Sequence, residues 1–104
     1  MLTLPEACEA FADLIEAVPA LWTHDAYART SSDLETEPGD PKAVCWCAVG
    51  GVMAATRRKY AKDVHKYLTT FGVKLFGEPA LTVNDVLGRK AAIKMLRAAA
   101  KGKP

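Results

Sequence analysis

The sequence predicts an all-α fold, a compact bundle of about four helices forming one domain over residues 1–104. Three observations lead there. Apolar residues recur at three-to-four spacing in separate stretches, cap-forming residues stand at the ends of those stretches, and half of the 104 residues are apolar. That is enough to fill one core and not two.

Thr3 followed by Pro5 and Glu6 has the form of a capping box, so a helix starts here. Leu4, Cys8, Phe11, Ile15 and Val18 make its inward face, Ala7 and Leu14 widen it, and Glu6, Glu9, Asp13 and Glu16 lie away from it. Pro19 ends or kinks this helix, because proline supplies no amide and crowds the preceding turn.

The periodicity then disappears. Residues 22–39, with the turn-forming sequences Thr30-Ser31-Ser32-Asp33 and Glu37-Pro38-Gly39-Asp40, read as a long polar loop between helices one and two, a linker that is also a candidate binding loop. Asp40-Pro41 offers an N-cap with proline at the first helical position. The apolar run through Trp46, Cys47, Val49, Val52 and Met53 follows as a second, buried helix. Gly50-Gly51 within it costs about 1 kcal/mol per glycine relative to alanine, which predicts a tight helix crossing at that pair. Arg57-Arg58-Lys59 marks its positively charged end.

A third helix is expected from Tyr60 to Phe71, with Gly72 as C-cap. Residues 73–84, broken by Gly77 and Pro79, read as extended or irregular. The fourth helix is expected from Gly88 to Ala100, burying Ala92, Leu96 and Ala99 with Ile93 or Met95 at the margin, and residues 101–104 as a frayed tail.

Composition bounds the function. No stretch reaches the roughly 18–20 consecutive apolar residues of a membrane-spanning helix, the first residues lack a basic leader, and three cysteines cannot all pair within one chain. A cytoplasmic protein with reduced thiols and no membrane partner is expected. The net charge of +2 hides a split: residues 1–40 carry nine acids against Arg29 alone, a balance of −8, and residues 41–104 carry thirteen bases against three acids, a balance of +10. Such asymmetry means internal matching or two distinct partner surfaces.

Trp46-Cys47-Ala48-Val49-Gly50, with Val83-Asn84-Asp85, Gly88-Arg89 and a closing helix, resembles a family of short uncharacterised bacterial and phage proteins. The likeness covers about Asp40 to Ala100; Val83 stands where that pattern has tryptophan. The resemblance implies a small helical fold in a phage or prophage setting, and brings no activity, cofactor or catalytic residue with it.

Candidate chemistry is sparse. Cys45, Cys47 and Cys8 with His24 or His65 have the residue types of a zinc site, but residues two apart on a helix point about 200° apart and only one closely spaced pair exists. The thiols read as small buried hydrophobes, not as a nucleophile paired with His65, and no metal or cofactor is expected. Gly50-Gly51 makes no phosphate loop. Asn84 and Asp85, just before a helix, read as structural polar residues that cap amides or pair with Arg89, Arg57 or Arg58. No catalytic constellation emerges, so the chain is not expected to be an enzyme.

Two charged sets remain. Glu9, Asp13, Glu16, Glu35 and Glu37 form the acidic partner-binding candidates, by analogy with small phage inhibitors that imitate nucleic acid. Arg57, Arg58, Lys62, Lys66, Lys94 and Arg97 form a basic stripe on helices three and four if those lie side by side, suited to a partner or to nucleic acid. The expected function is a non-enzymatic interaction protein of phage type that binds and inhibits a host protein or protein–nucleic acid complex, such as a defence component. The alternative is nucleic-acid binding through the stripe.

Overall fold

A computed structural model describes residues 2–102. α1 runs Leu4–Ala17 and opens as its sequence requires: the Glu6 amide donates to the Thr3 hydroxyl (3.3 Å) and the Thr3 amide to Glu6 Oε1 (2.9 Å). Hydrogen bonding to Thr3 also holds the Glu6 carboxyl below its ordinary value. Ala7, Cys8, Phe11, Ala12 and Ile15 are buried, whereas Leu14 and Val18, expected on the inward face, are exposed near the end of the helix. Pro19 stops the helix and starts a single 3₁₀ turn, Pro19–Leu21.

The stretch from Trp22 to Trp46 overturns the all-α class. β1 (Ala28–Thr30), β2 (Glu35–Thr36) and β3 (Ala43–Trp46) form an antiparallel sheet in the order β2-β1-β3. Ala28 faces Thr36 on one side and Trp46 on the other, and Arg29 faces Glu35 and Cys45. The loop expected over 22–39 therefore contains a hairpin, closed by Thr30, whose carbonyl accepts the Asp33 amide and whose amide donates to the Leu34 carbonyl. Strands of three, two and four residues are too short for a period-two pattern to stand out, and their pairing is not a property of local sequence.

The start of the second helix moves for the same reason. Asp40 caps a turn, not a helix: its carboxylate accepts the Thr36 hydroxyl and the Lys42 amide, which hold it below the ordinary carboxylate range, the hydroxyl more strongly. The first half of the apolar run becomes β3. α2 spans only Ala48–Ala55, with Cys47 as N-cap, its sulfur accepting the Gly50 amide at 3.3 Å. The glycine pair does mark a close approach on two sides. A Cβ on Gly50 would collide with the Tyr27 carbonyl, and one on Gly51 with the Phe11 ring.

Arg57, Arg58 and Lys59 lie past the end of α2, in a turn where Arg57 (φ 52°) and Arg58 (φ 64°) are both left-handed, so they do not serve as its charged last turn. α3 runs Ala61–Phe76, a turn longer than the periodicity predicts. Gly72 is interior, where the Glu78 carbonyl, Met95 and Val83 approach too closely for a side chain, and Gly77 (φ 72°) is the left-handed C-cap. The segment 73–84, read as extended or irregular, is mostly helical: residues 73–76 complete α3, and beyond Gly77 a short helix, α4 (Ala80–Thr82), continues into a π turn, Val83–Leu87. α5 spans Arg89–Lys101 and buries Met95 as fully as Ala92, Leu96 and Ala99. Lys101 belongs to the helix, while Lys103 and Pro104 of the expected tail lie outside the described residues.

α1, α2, α3 and α5 share one core centred on Phe11, Ile15, Val49, Val52, Leu68 and Leu96, with the sheet folded against the N-terminal end of α2. Among the described residues the architecture is α+β, five α-helices and a three-stranded sheet. No helix among the described residues is long and apolar enough to cross a membrane.

Candidate functional site

Asn84, in the π turn, is fully buried and makes four hydrogen bonds. Its Oδ1 accepts the Trp22 indole N–H (2.8 Å) and the Ala48 amide (2.9 Å), and its Nδ2 donates to the Thr23 carbonyl (3.1 Å) and to Asp85 Oδ1 (2.9 Å). The side chain does satisfy a helix amide, but that of α2 and not of the helix that follows it. The Trp-Cys-x-x-Gly and Asn-Asp motifs, 36 residues apart at this bond, thus meet in space.

Asp85 pairs with none of the arginines expected for it. Its Oδ1 accepts the Asp25 amide at 3.0 Å, fixing a residue whose backbone is left-handed (φ 59°). Asp25 Oδ2 lies 2.6 Å from His24 Nδ1, and the His24 ring leans against Trp22 at a 36° tilt with centroids 5.5 Å apart. Arg89 instead donates to the Ile15 carbonyl (2.9 Å), closing the C-terminal end of α1.

This polar knot forms one wall of a cleft of about 670 Å³ between the hairpin and α4. Four carboxylates line it, from Asp25, Glu35, Glu37 and Asp85, together with the apolar surfaces of Tyr27 and Leu81, and among the described residues no basic one does. A cleft of this size suits one large side chain with some flanking chain. Its electrostatics favour a cation.

The five acids singled out from the sequence fall into two places. Glu9, Asp13 and Glu16 all converge on Arg97: its guanidinium donates to Glu9 Oε1, to Asp13 Oδ1 (2.6 Å) and to Glu16 Oε1 (2.6 Å). The hydrogen bond with Asp13 is the largest of the contacts that raise the Arg97 pKa above its ordinary value. The acidic face of α1 is therefore matched internally by α5. Glu35 and Glu37 sit on the cleft. Glu37 holds Arg58 at 2.9 Å, while Glu35 makes no ion pair among the described residues.

The basic stripe is correspondingly thinned. α3 and α5 do pack together, joined by the Tyr67 hydroxyl donating to the Ala99 carbonyl (2.7 Å). Arg97 and Arg58 are occupied, and Arg57, Lys62, Lys66 and Lys94 remain exposed. Among the described residues, no group of three or more histidines, cysteines and acids is placed to hold a metal ion. Cys45 lies in β3, so the helical-spacing argument does not apply to it. Its sulfur faces the Arg29 carbonyl at 3.9 Å, whereas Cys47 caps α2. Burial pushes the Cys8 thiol up to about 12 and the Cys47 thiol to about 11.

Asp25, Tyr27 and Leu81 went unnoticed in the sequence because nothing in their spacing marks them; only the hairpin brings them to α4. The assembled features define an α+β domain with an acidic, partly apolar cleft. No family model, curated protein or solved structure matches the chain.

Proposed function

We propose that the chain is a non-enzymatic interaction protein that binds a positively charged segment of a partner protein and blocks it. In the bacterial and phage setting that the resemblance implies, the partner is a host protein such as a defence component. The observation that carries this reading is the division of the acids: Glu9, Asp13 and Glu16 of α1 all converge on Arg97, whereas of the cleft acids Glu37 is held by Arg58 and Glu35 makes no ion pair among the described residues, beside the apolar surfaces of Tyr27 and Leu81. A solvated acidic face would offer charge alone; a cleft adds shape and apolar contact, which confer selectivity.

The test is capture of partners by the tagged chain from a bacterial lysate, with and without nuclease, compared between the native protein and a Glu35→Gln/Glu37→Gln variant. A stoichiometric, nuclease-resistant protein lost with the variant supports the reading. Recovery unchanged by the variant refutes it.

Nucleic-acid binding is the second reading, favoured by the exposure of Arg57, Lys62, Lys66 and Lys94 outside the ion pairs of the described residues. It requires capture that vanishes with nuclease and affinity that falls steeply with salt.

A further inference from the structure

The cleft is more specific than a negative patch. Its apolar surfaces come from Tyr27, whose side chain is partly exposed, and Leu81; its carboxylates come from two sides, Glu35 and Glu37 on the hairpin and Asp85 on the π turn, with Asp25 between them. Asp85 is held in place by the Asp25 amide and by Asn84, and its Oδ2 has no partner among the described residues. Glu35 is likewise without an ion pair there. The kind of group these acids accept is already visible at the rim: the Arg58 guanidinium sits on Glu37 at 2.9 Å, its stem against Gly39.

We propose that the cleft receives an arginine side chain of a partner protein, its stem against Tyr27 and Leu81 and its guanidinium between Glu35 and Asp85. This rests on the reading of the chain as a binder of basic segments, and names the residue recognised. Charge complementarity selects a cation and excludes phosphates. Arginine is favoured over lysine by the same walls. A guanidinium is planar, less strongly hydrated than an ammonium, able to lie on a tyrosine ring, and carries donors in a fork that meets carboxylates on two sides. An ammonium entering the same space would shed more hydration and, though attracted to the tyrosine face, offers no planar fork to the two carboxylates.

The experiment titrates the full chain with acetyl-Gly-Gly-Arg-Gly-Gly-amide and with peptides carrying lysine or citrulline in place of arginine, followed by amide chemical shifts and calorimetry. Citrulline keeps the shape and removes the charge. The expected result is that the arginine peptide binds about tenfold more tightly than the citrulline peptide and measurably more tightly than the lysine peptide, with shifts at Tyr27, Glu35 and Leu81. Glu35→Gln, an exposed change that leaves the fold intact, weakens arginine binding, and Tyr27→Leu erases the preference over lysine.

Equal binding of arginine and citrulline peptides, or shifts confined to α1 and α5, would overturn the proposal. So would a concentration-dependent dimer abolished by Glu35→Gln, which would make a second copy of the chain the occupant. The two readings fail separately. A captured partner indifferent to Tyr27→Leu and to competing arginine peptide sinks this inference alone. Arginine-selective binding with no partner captured sinks the function proposed above and leaves the cleft chemistry standing.

Discussion

The indole N–H of Trp22 donates to Asn84 Oδ1 at 2.8 Å across 62 residues of sequence, and the same oxygen accepts the first amide of α2. One buried side chain thereby anchors the segment entering the sheet and the helix leaving it, and through Asp85 it sets the floor of the acidic cleft. Asn84→Ala leaves the Trp22 indole and the Ala48 amide without their acceptor, and should lower unfolding stability by about 3 kcal/mol. Urea unfolding followed by tryptophan fluorescence measures it, and a loss near zero would show that water or a neighbour replaces the amide.

Gly50 and Gly51 lie against obstacles of different stiffness. Gly50→Ala meets the Tyr27 carbonyl, part of the backbone leading into β1, while Gly51→Ala meets the Phe11 ring, which has side-chain freedom to move. Both should destabilise, by about 1–3 kcal/mol or more, with Gly50→Ala the worse. Phe11→Leu should relieve Gly51→Ala and leave Gly50→Ala unchanged, a difference a double-mutant cycle of thermal melts would read.

Arg97 stands among three acids that are each more than half exposed, so its contribution is screened by water. Arg97→Gln should therefore remove only about 1 kcal/mol at low salt, and less at high salt as screening suppresses the attraction it replaces. It should also free the acidic face of α1 and increase non-specific retention on an anion-exchange resin. A salt-independent loss would mean that Arg97 acts through packing of its stem.

The buried thiols set an alkaline limit. Cys8 rises from an ordinary 9.0 to about 12 and Cys47 to about 11, because burial disfavours the thiolate. A raised folded pKa contributes stability that is fully present below pH 9, where both states are protonated, and is lost as pH climbs through 9 toward the folded values, where only the unfolded chain ionises. Each thiol should remove up to about 1.4 kcal/mol per pH unit in that window. Tyr67, raised mainly by burial, adds in the same sense. Urea midpoints at pH 8, 9 and 10 should fall, and Cys8→Ala should flatten the fall. In the native state at pH 8, Cys45 should react with a thiol reagent well before Cys8 and Cys47, the two that are buried.

Much of the helical framework was legible because it is written in local chemistry. The Thr3–Glu6 box, the Pro19 stop and the Cys8, Phe11 and Ile15 stripe of α1 act within a few residues of themselves, and the stripe expected over 88–100 is a strong 3.6-residue pattern. The Gly50-Gly51 pair announced a close contact, though not its partner. The sheet was hidden because Ala28 pairs with Thr36 and Trp46 through backbone groups that every residue carries, and its strands hold too few residues to show alternation. Gly72 misled for a related reason: a glycine required by the approach of the Glu78 carbonyl reads in sequence like a glycine that ends a helix.

The candidate site divides along the same line. The sequence by itself determined that the chain has an acidic and a basic half and that Asn84 and Asp85 stand just before a helix. Which charges cancel was decided by the tertiary structure alone, since α5 brings Arg97 to Glu9, Asp13 and Glu16 while the hairpin carries Glu35 and Glu37 to Asp85. Charge is a property of residues and is read in one dimension; its neutralisation depends on distances of a few ångströms between residues remote in the chain, and only the packed fold sets those distances.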